Sequence, residues 1–187
     1  LVGSEMCIRD SIRFDWFRSW EATQEWIDNN GAEKALNFVH FNRNKLGVTI
    51  EYEKKAGYEL LVRLLKEADA VLENYSGGVM SKLNLGYQQL VEINPKLVVV
   101  SLPAFGSTGP WAKFRAYGST AEQAAGLPHL LGDKHQSPTM QHVAFGDAIA
   151  AVNGTAALLT ALYHKSHTGK GQFVDLSHAE CILPHSL

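Results

Sequence analysis

Cysteine is scarce: Cys7 and Cys181 are the only two, at opposite ends of 187 residues. That count supplies neither a disulfide framework nor a paired-thiol zinc signature. A reducing cytoplasm is therefore the expected setting. An excess of positive charge is lacking too. With 17 Lys and Arg against 19 Asp and Glu, the formal net charge is −2, which excludes a general nucleic-acid binder that needs a basic face. Long apolar runs are few. LVVVSLPAF (97–105) is too short to span a bilayer, and AIAAVNGTAALLTALY (148–163) is interrupted by Asn153, Gly154 and two threonines, so no membrane segment is expected. Internal repeats, low-complexity tracts, GxGxxG and Walker loops are all missing. What remains is a chain with 45% hydrophobic and 19% charged residues, the balance of a globular protein.

The first ten residues, LVGSEMCIRD, have no apolar period and no clear helix cap. Back-translated as CTC GTG GGC TCG GAG ATG TGT ATA AGA GAC, they read as the adapter and transposon end used in preparing sequencing libraries. Residues 1–11 are expected to be non-native and are set aside. The expectation that follows is a gene fragment, of metagenomic type, whose native part runs from 12 to 187 and whose natural sequence continues at both ends. Cys7 then drops out of any chemistry.

Residues 12–40 are aromatic without a clean period and read mostly as loop, and GVTIEY (47–52) has short-strand character. AGYELLVRLLKEADA (56–70) puts Leu60, Leu61, Leu64, Leu65 and Ala68 on one stripe, an amphipathic helix. ADAVLENY (68–75) follows as a buried strand. The plan repeats with a short helix stopped by Asn94-Pro95 and the strand 97–102, apolar but for Ser101. Continuous Val and Leu runs are those of strands covered on both faces, as in parallel sheets. After Gly118, STAEQAAGL is short and helical, DAIAAVNGTAALLTALYHK is a long helix, and GQFVDLS is a strand beyond the turn TGKG. Alternating helices and strands predict an α/β fold built of βαβ units.

Four stretches can carry chemistry. FNRNK (41–45) gathers two cations and two amides, a set that binds phosphate through charge-assisted hydrogen bonds or simply forms a solvated loop. ENYSGGVMSKLNLGY (73–87) leaves a strand straight into a Gly-Gly loop, and ligands of open α/β sheets settle at such carboxyl ends. SLPAFGSTGPWAKFRAYGS (101–119) does the same with Trp111, Arg115 and Tyr117, able to hold a base and a phosphate or merely to close the sheet end. In HVAFGDAIAAVNG (142–154), Asp147 stands between a glycine and an Ala-rich helix. It can cap that helix, and the same place suits an exposed anionic nucleophile. Eight histidines include the pair His164 and His167, but no spacing completes a metal site. Cys181 near His178 invites a thiol nucleophile, against the plainer reading of a buried thiol.

Taken in order, FNRNKLGVTIEYEKKAGYELLVRLLKEADAVLENYSGGVMSKLNLGY, INPKLVVVSLPAFGSTGPW and HKSHTGKGQFVDLS resemble the class III CoA-transferase family. That family includes formyl-CoA and carnitine CoA-transferases and the 2-methylacyl-CoA racemases, and its pattern reads LNRNK, ADVVxEN[FY], LGLGY, NPRLxxxSxxGFGxTGP and TGxGQxVDVS. The likeness runs from Phe41 to Glu180. It implies a Rossmann-like parallel sheet flanked by helices, truncated here at both ends, from a longer protein that forms an interlocked homodimer. The opening βα unit, the small domain and the glycine-rich loop over the active site would lie outside the chain.

The resemblance also implies transfer of CoA between an acyl-CoA and a carboxylic acid, with CoA the only cofactor and no metal, nucleic acid or membrane involved. Asp147 falls on the family's catalytic aspartate, which forms an aspartyl anhydride and then an aspartyl-CoA thioester. CoA contacts fall on Asn42, Arg43 and Asn44, on Asn74 and Tyr75, on Lys82 and Leu83, and on Arg115, Ala116 and Tyr117. Two departures stand out. Tyr117 occupies the position of the racemases' acid/base histidine, which lowers that reading. Gly118 stands where many members carry Asp or Glu, which leaves a second assisting carboxylate in doubt. The alternatives are a racemase or isomerase of the same fold and a non-catalytic CoA- or nucleotide-binding module. The fragment alone is expected to be inactive.

Overall fold

A computed structural model describes residues 16–19, 23–29, 31–133, 135–140 and 144–186. These form two compact units, one reaching to Leu64 and one beginning at Leu65. The proposed adapter, residues 1–11, lies outside the described residues, as do His142 and its neighbours 141–143.

The first unit corrects two expectations. The stretch read as loop contains α1 (Trp16–Ser19), α2 (Gln24–Asp28), a 3-10 turn over Gly31–Lys34 and α3 (Leu36–Phe41). Among the described residues of 12–41 no helix exceeds six residues, too short for an apolar stripe to accumulate as a readable period. Side-chain contacts bind them instead: the Arg18 guanidinium lies 3.6 Å over the Phe38 ring and pairs with Glu33. GVTIEY, predicted as a strand, is irregular and ends in a turn. Its β-branched residues favour extended chain, but a strand exists only with a partner for its backbone groups, and the described strands pair among themselves. The predicted amphipathic helix forms as α4 (Lys55–Glu67), with Leu61 and Leu65 buried.

The second unit is a parallel sheet in the order β1 (Ala70–Glu73), β2 (Val98–Ser101), β3 (Gln172–Asp175). Val99 aligns with Val71 on one side and Phe173 on the other. All four residues of β2 are buried, which is why its sequence has no alternation: it is the central strand, covered on both faces. Between β1 and β2 come α5 (Val79–Lys82) and α6 (Tyr87–Ile93). Tyr87 meets Phe173 with ring centroids 5.1 Å apart, so α6 covers the face carrying Val99. Asn94 ends α6 and donates its side-chain amide to the carbonyls of Leu65 at 3.0 Å and Ala68 at 3.1 Å.

Between β2 and β3 come α7 (Gly118–Ala124) and α8 (Phe145–Thr168). Val98 and Val100 point to the other face and pack with Ala161 of α8, joined by Leu158, Leu162 and Val174. Helices on both faces make this a Rossmann-like α/β unit. By length and apolar composition α8 could cross a membrane. One side of it packs on the sheet, with Gly154 so close to Leu102 that a Cβ would fall 2.5 Å from Cδ2, while Val152, Leu159 and Tyr163 are exposed. Gly169 terminates α8 at φ +69°, its N–H donating to the Lys165 carbonyl at 2.8 Å, a left-handed cap that glycine adopts without steric cost. The chain then forms β3 and α9 (His178–Ile182), which Ser177 caps by accepting the Glu180 N–H.

Candidate active site

The long helix α8 runs back against the strand direction, so its N-terminus lies at the carboxyl end of the sheet. The sequence allowed Asp147 to cap that helix. It does not: Ala144 is the cap residue, and Asp147 sits inside the first turn. The capping bond comes from another helix. Glu122 of α7 is 2% exposed, and its Oε1 accepts the Gly146 N–H at 2.8 Å. A buried carboxylate thus satisfies one of the orphan donors of α8, which leaves the Asp147 side chain available.

The Asp147 carboxylate is half exposed, at 52%. Two neighbours define its surroundings. Gly118, the first residue of α7, leaves the space it occupies: a Cβ there would fall 2.6 Å from Cγ. His178, the first residue of α9, is buried with Nδ1 3.3 Å from Asp147 Oδ1. Ile182, fully buried one turn on, packs with Ala121, Ala125 and Leu127 and fixes α9 against α7. The first residues of α7 and α9 therefore meet at a carboxylate carried by α8.

The second and third stretches also come together. Gly77 approaches the loop after β2 so closely that a Cβ would lie 2.5 Å from the Ala112 carbonyl oxygen. The loop is anchored where Ser107 N–H donates to both oxygens of Asp175, each at 3.0 Å. A cleft of about 440 Å³ lies between these loops, lined by Gly77, Gly78, Ser107, Thr108 and Lys113. Another of about 430 Å³ lies beside it, lined by Glu73, Tyr75, Ser101, Tyr87 and Phe173. Both are at the sheet's carboxyl end, where open α/β sheets hold ligands.

Of the CoA-contact candidates, Tyr75 lines the second cleft, Asn74 is exposed beside it, and Lys82 ends α5 exposed with Leu83 half buried. Arg115 and Tyr117 are exposed and Ala116 half buried, on the segment that leads into Gly118. Tyr117 directly precedes the glycine that abuts Asp147. Asn42, Arg43 and Asn44 follow α3 in the first unit. There Asn42 donates to the Phe38 carbonyl at 3.0 Å and accepts from Lys45 at 3.2 Å, and Asn44 has φ +60°.

Sequence reasoning missed Glu122 and His178. Glu122 had a signal, a lone acid in the Ala-rich helix STAEQAAGL. His178 stands out in the sequence only as a neighbour of Cys181, and nothing local announces its approach to Asp147 across 31 residues. His164 and His167 are exposed on α8. No group of three or more metal-ligating side chains occurs among the described residues. The Cys181 thiol is partly buried, and burial, reinforced by the Glu180 charge, pushes it above the ordinary thiol range; a nucleophilic thiol needs the opposite shift.

The sequence matches the family described as CoA-transferase family III over residues 8–185. This chain belongs to that family. It is 36% identical over 162 residues to an acyl-CoA transferase of Fusarium pseudograminearum, covering 87% of this chain and 35% of the relative. It is 31% identical over 160 residues to the succinyl-CoA–D-citramalate CoA-transferase of Chloroflexus aurantiacus, covering 86% and 40%. The crystal structure of a CAIB/BAIF family protein from Brucella suis superposes with a TM-score of 0.76 at 35% identity, covering 80% of this chain and 40% of that one. The chain therefore spans about two-fifths of the length of these relatives.

Proposed function

We propose that this chain supplies the nucleophile and part of the CoA surface of an enzyme that moves CoA from an acyl-CoA to a carboxylic acid. One observation carries the reading: Asp147 is a half-exposed carboxylate in the first turn of a 24-residue helix, relieved of capping by Glu122. The helix dipole favours negative charge there.

In the proposed sequence Asp147 Oδ2 attacks the thioester carbonyl carbon, the C–S bond breaks, and CoA leaves as thiolate. The thiolate then attacks Asp147 Cγ of the mixed anhydride, releasing the first carboxylate and leaving an aspartyl-CoA thioester. The acceptor carboxylate attacks the same carbon and expels CoA thiolate, which finally takes the acyl group from the second anhydride and regenerates Asp147. Dividing one difficult transfer into four easier ones is nucleophilic catalysis. Asn42, Arg43, Asn44, Asn74, Tyr75, Lys82, Leu83, Arg115, Ala116 and Tyr117 are the proposed CoA contacts. Residues 12–187 form part of a larger CoA-binding domain in this reading, and the exposed apolar residues Val152, Leu159 and Tyr163 of α8 would be covered by further chain or by a second copy in an interlocked dimer.

The test uses the full-length protein with succinyl-CoA, formyl-CoA and acetyl-CoA, quenched with borohydride or hydroxylamine and analysed by mass spectrometry. The expected result is covalent modification at Asp147, lost in Asp147→Asn with a fall in turnover of about 10³-fold or more. Binding without modification would establish a CoA-binding module instead. Exchange of the α-proton without CoA transfer would establish a racemase.

A further inference from the structure

The geometry points to His178 as the residue that stabilises the oxyanion formed on Asp147 itself, in the two steps that take place at Cγ. This rests on the transferase reading above and adds a group that reading does not require.

Three observations support it. His178 Nδ1 is 3.3 Å from Oδ1 of Asp147. The histidine is 6% exposed and fixed at the start of α9, its backbone N–H donating to the Pro103 carbonyl at 3.3 Å and Ser177 capping its helix. Asp147 is half exposed and Gly118 gives it room, so Oδ1 lies near the imidazole while the carboxylate as a whole stays open to solvent. At 3.3 Å the two are within ion-pair distance but not hydrogen-bonded; because a carboxylate oxygen only accepts, the bond that forms as charge builds on Oδ1 requires Nδ1 to carry the proton and turn toward it.

The chemistry separates the two oxygens. Oδ2 attacks the acyl carbon and becomes the bridging oxygen of the anhydride; Oδ1 remains the carbonyl oxygen on Cγ. When CoA thiolate adds to Cγ, the C=O electron pair moves onto Oδ1. Collapse restores the carbonyl and breaks the Cγ–Oδ2 bond, so the carboxylate leaves with Oδ2. When the acceptor carboxylate adds to the aspartyl-CoA thioester, charge develops on Oδ1 again and CoA thiolate leaves. A donor fixed at Oδ1 acts where charge develops in both steps. In the first and last transfers charge develops on the substrate's own carbonyl oxygen, and His178 is not aimed there. Contacts of this kind often tighten beyond their resting length as the reaction proceeds.

The experiment compares wild type, His178→Leu, His178→Met and His178→Asn in the full-length protein, with succinyl-CoA and a rapid acid quench. Mass spectrometry of the peptide carrying Asp147 gives the ratio of aspartyl-CoA thioester to aspartyl-acyl anhydride, and a thiol reagent reports free CoA. In the first turnover, before any acceptor carboxylate is added, removing the donor with Leu or Met is expected to lower that ratio about tenfold or more, with free CoA accumulating and KM for succinyl-CoA little changed. Asn, whose amide nitrogen can take the place of Nδ1, is expected to restore most of the ratio. A merely structural histidine would alter total activity or melting temperature without changing which intermediate accumulates. An unchanged ratio in the folded apolar variants, or an Asn variant no better than Leu and Met, would overturn the role of His178. Absence of any Asp147 adduct in wild type would overturn the transferase reading, a distinguishable failure.

Discussion

Gly118 and Asp147 occupy adjoining space so tightly that a Cβ on the glycine would lie 2.6 Å from the aspartate Cγ and Oδ2 and 2.7 Å from Oδ1. The two residues are 29 positions apart and start different helices, α7 and the first turn of α8. Glycine at 118 therefore has a steric meaning: with Asp147 so placed, a Cβ at that position makes its carboxylate shift.

Gly118→Ala is expected to separate stability from activity. Its backbone is not in the left-handed region, and the nearest atoms belong to the flexible end of the Asp147 side chain. Stability should stay within about 1 kcal/mol, because alanine is the better helix residue. Turnover should fall about 10²-fold, the effect of misplacing a reacting group by roughly an ångström. Calorimetry beside steady-state kinetics makes the comparison, and undiminished turnover would refute the steric account.

Glu122→Ala is expected to cost about 1–3 kcal/mol, since it leaves the buried Gly146 N–H without its acceptor. Glu122→Gln keeps a carbonyl oxygen at the same place and should lose less. Urea melts of both variants decide the matter; equal losses would show that the bond to Gly146 is not the source.

Leu90→Ala removes a side chain that is 1% exposed beneath α6 and is expected to cost about 2–5 kcal/mol. Gly169→Ala, by contrast, changes only backbone energy, because no atom lies within 4 Å of an added Cβ while φ is +69°. That substitution should cost about 1–2 kcal/mol. Chemical denaturation midpoints should rank the first well below the second.

Cys181 should resist alkylation at neutral pH. Burial and the Glu180 charge both raise its thiol pKa, so the reactive thiolate is scarcer than in an ordinary thiol at the same pH. Its rate with iodoacetamide, followed by peptide mass spectrometry, should lag that of glutathione at pH 8 and keep rising beyond the pH at which glutathione levels off. A rate equal to glutathione's at pH 8 would contradict the burial.

Much of the α/β plan was legible because its elements declare themselves locally. LVVVS is a buried central strand with no alternation to hide, Leu61 and Leu65 lie on a helical stripe, and Gly169 directly after α8 announces its end. The short helices of 16–41 were not legible, because four to six residues cannot display a 3.6-residue period. GVTIEY was misread for a different reason: β-propensity describes what a segment tolerates, while strand formation depends on a partner elsewhere in the chain.

The sequence by itself determined the parallel-sheet architecture, the family and the position of Asp147 on a helix start, since each follows from composition and order along the chain. Only the tertiary structure decided what surrounds that carboxylate. Glu122 caps α8 in its place, Gly118 makes room for it and His178 faces one of its oxygens. These partners lie 24 to 31 residues from the groups they touch, and distances of a few ångströms between helix ends are fixed by packing, which no local pattern encodes.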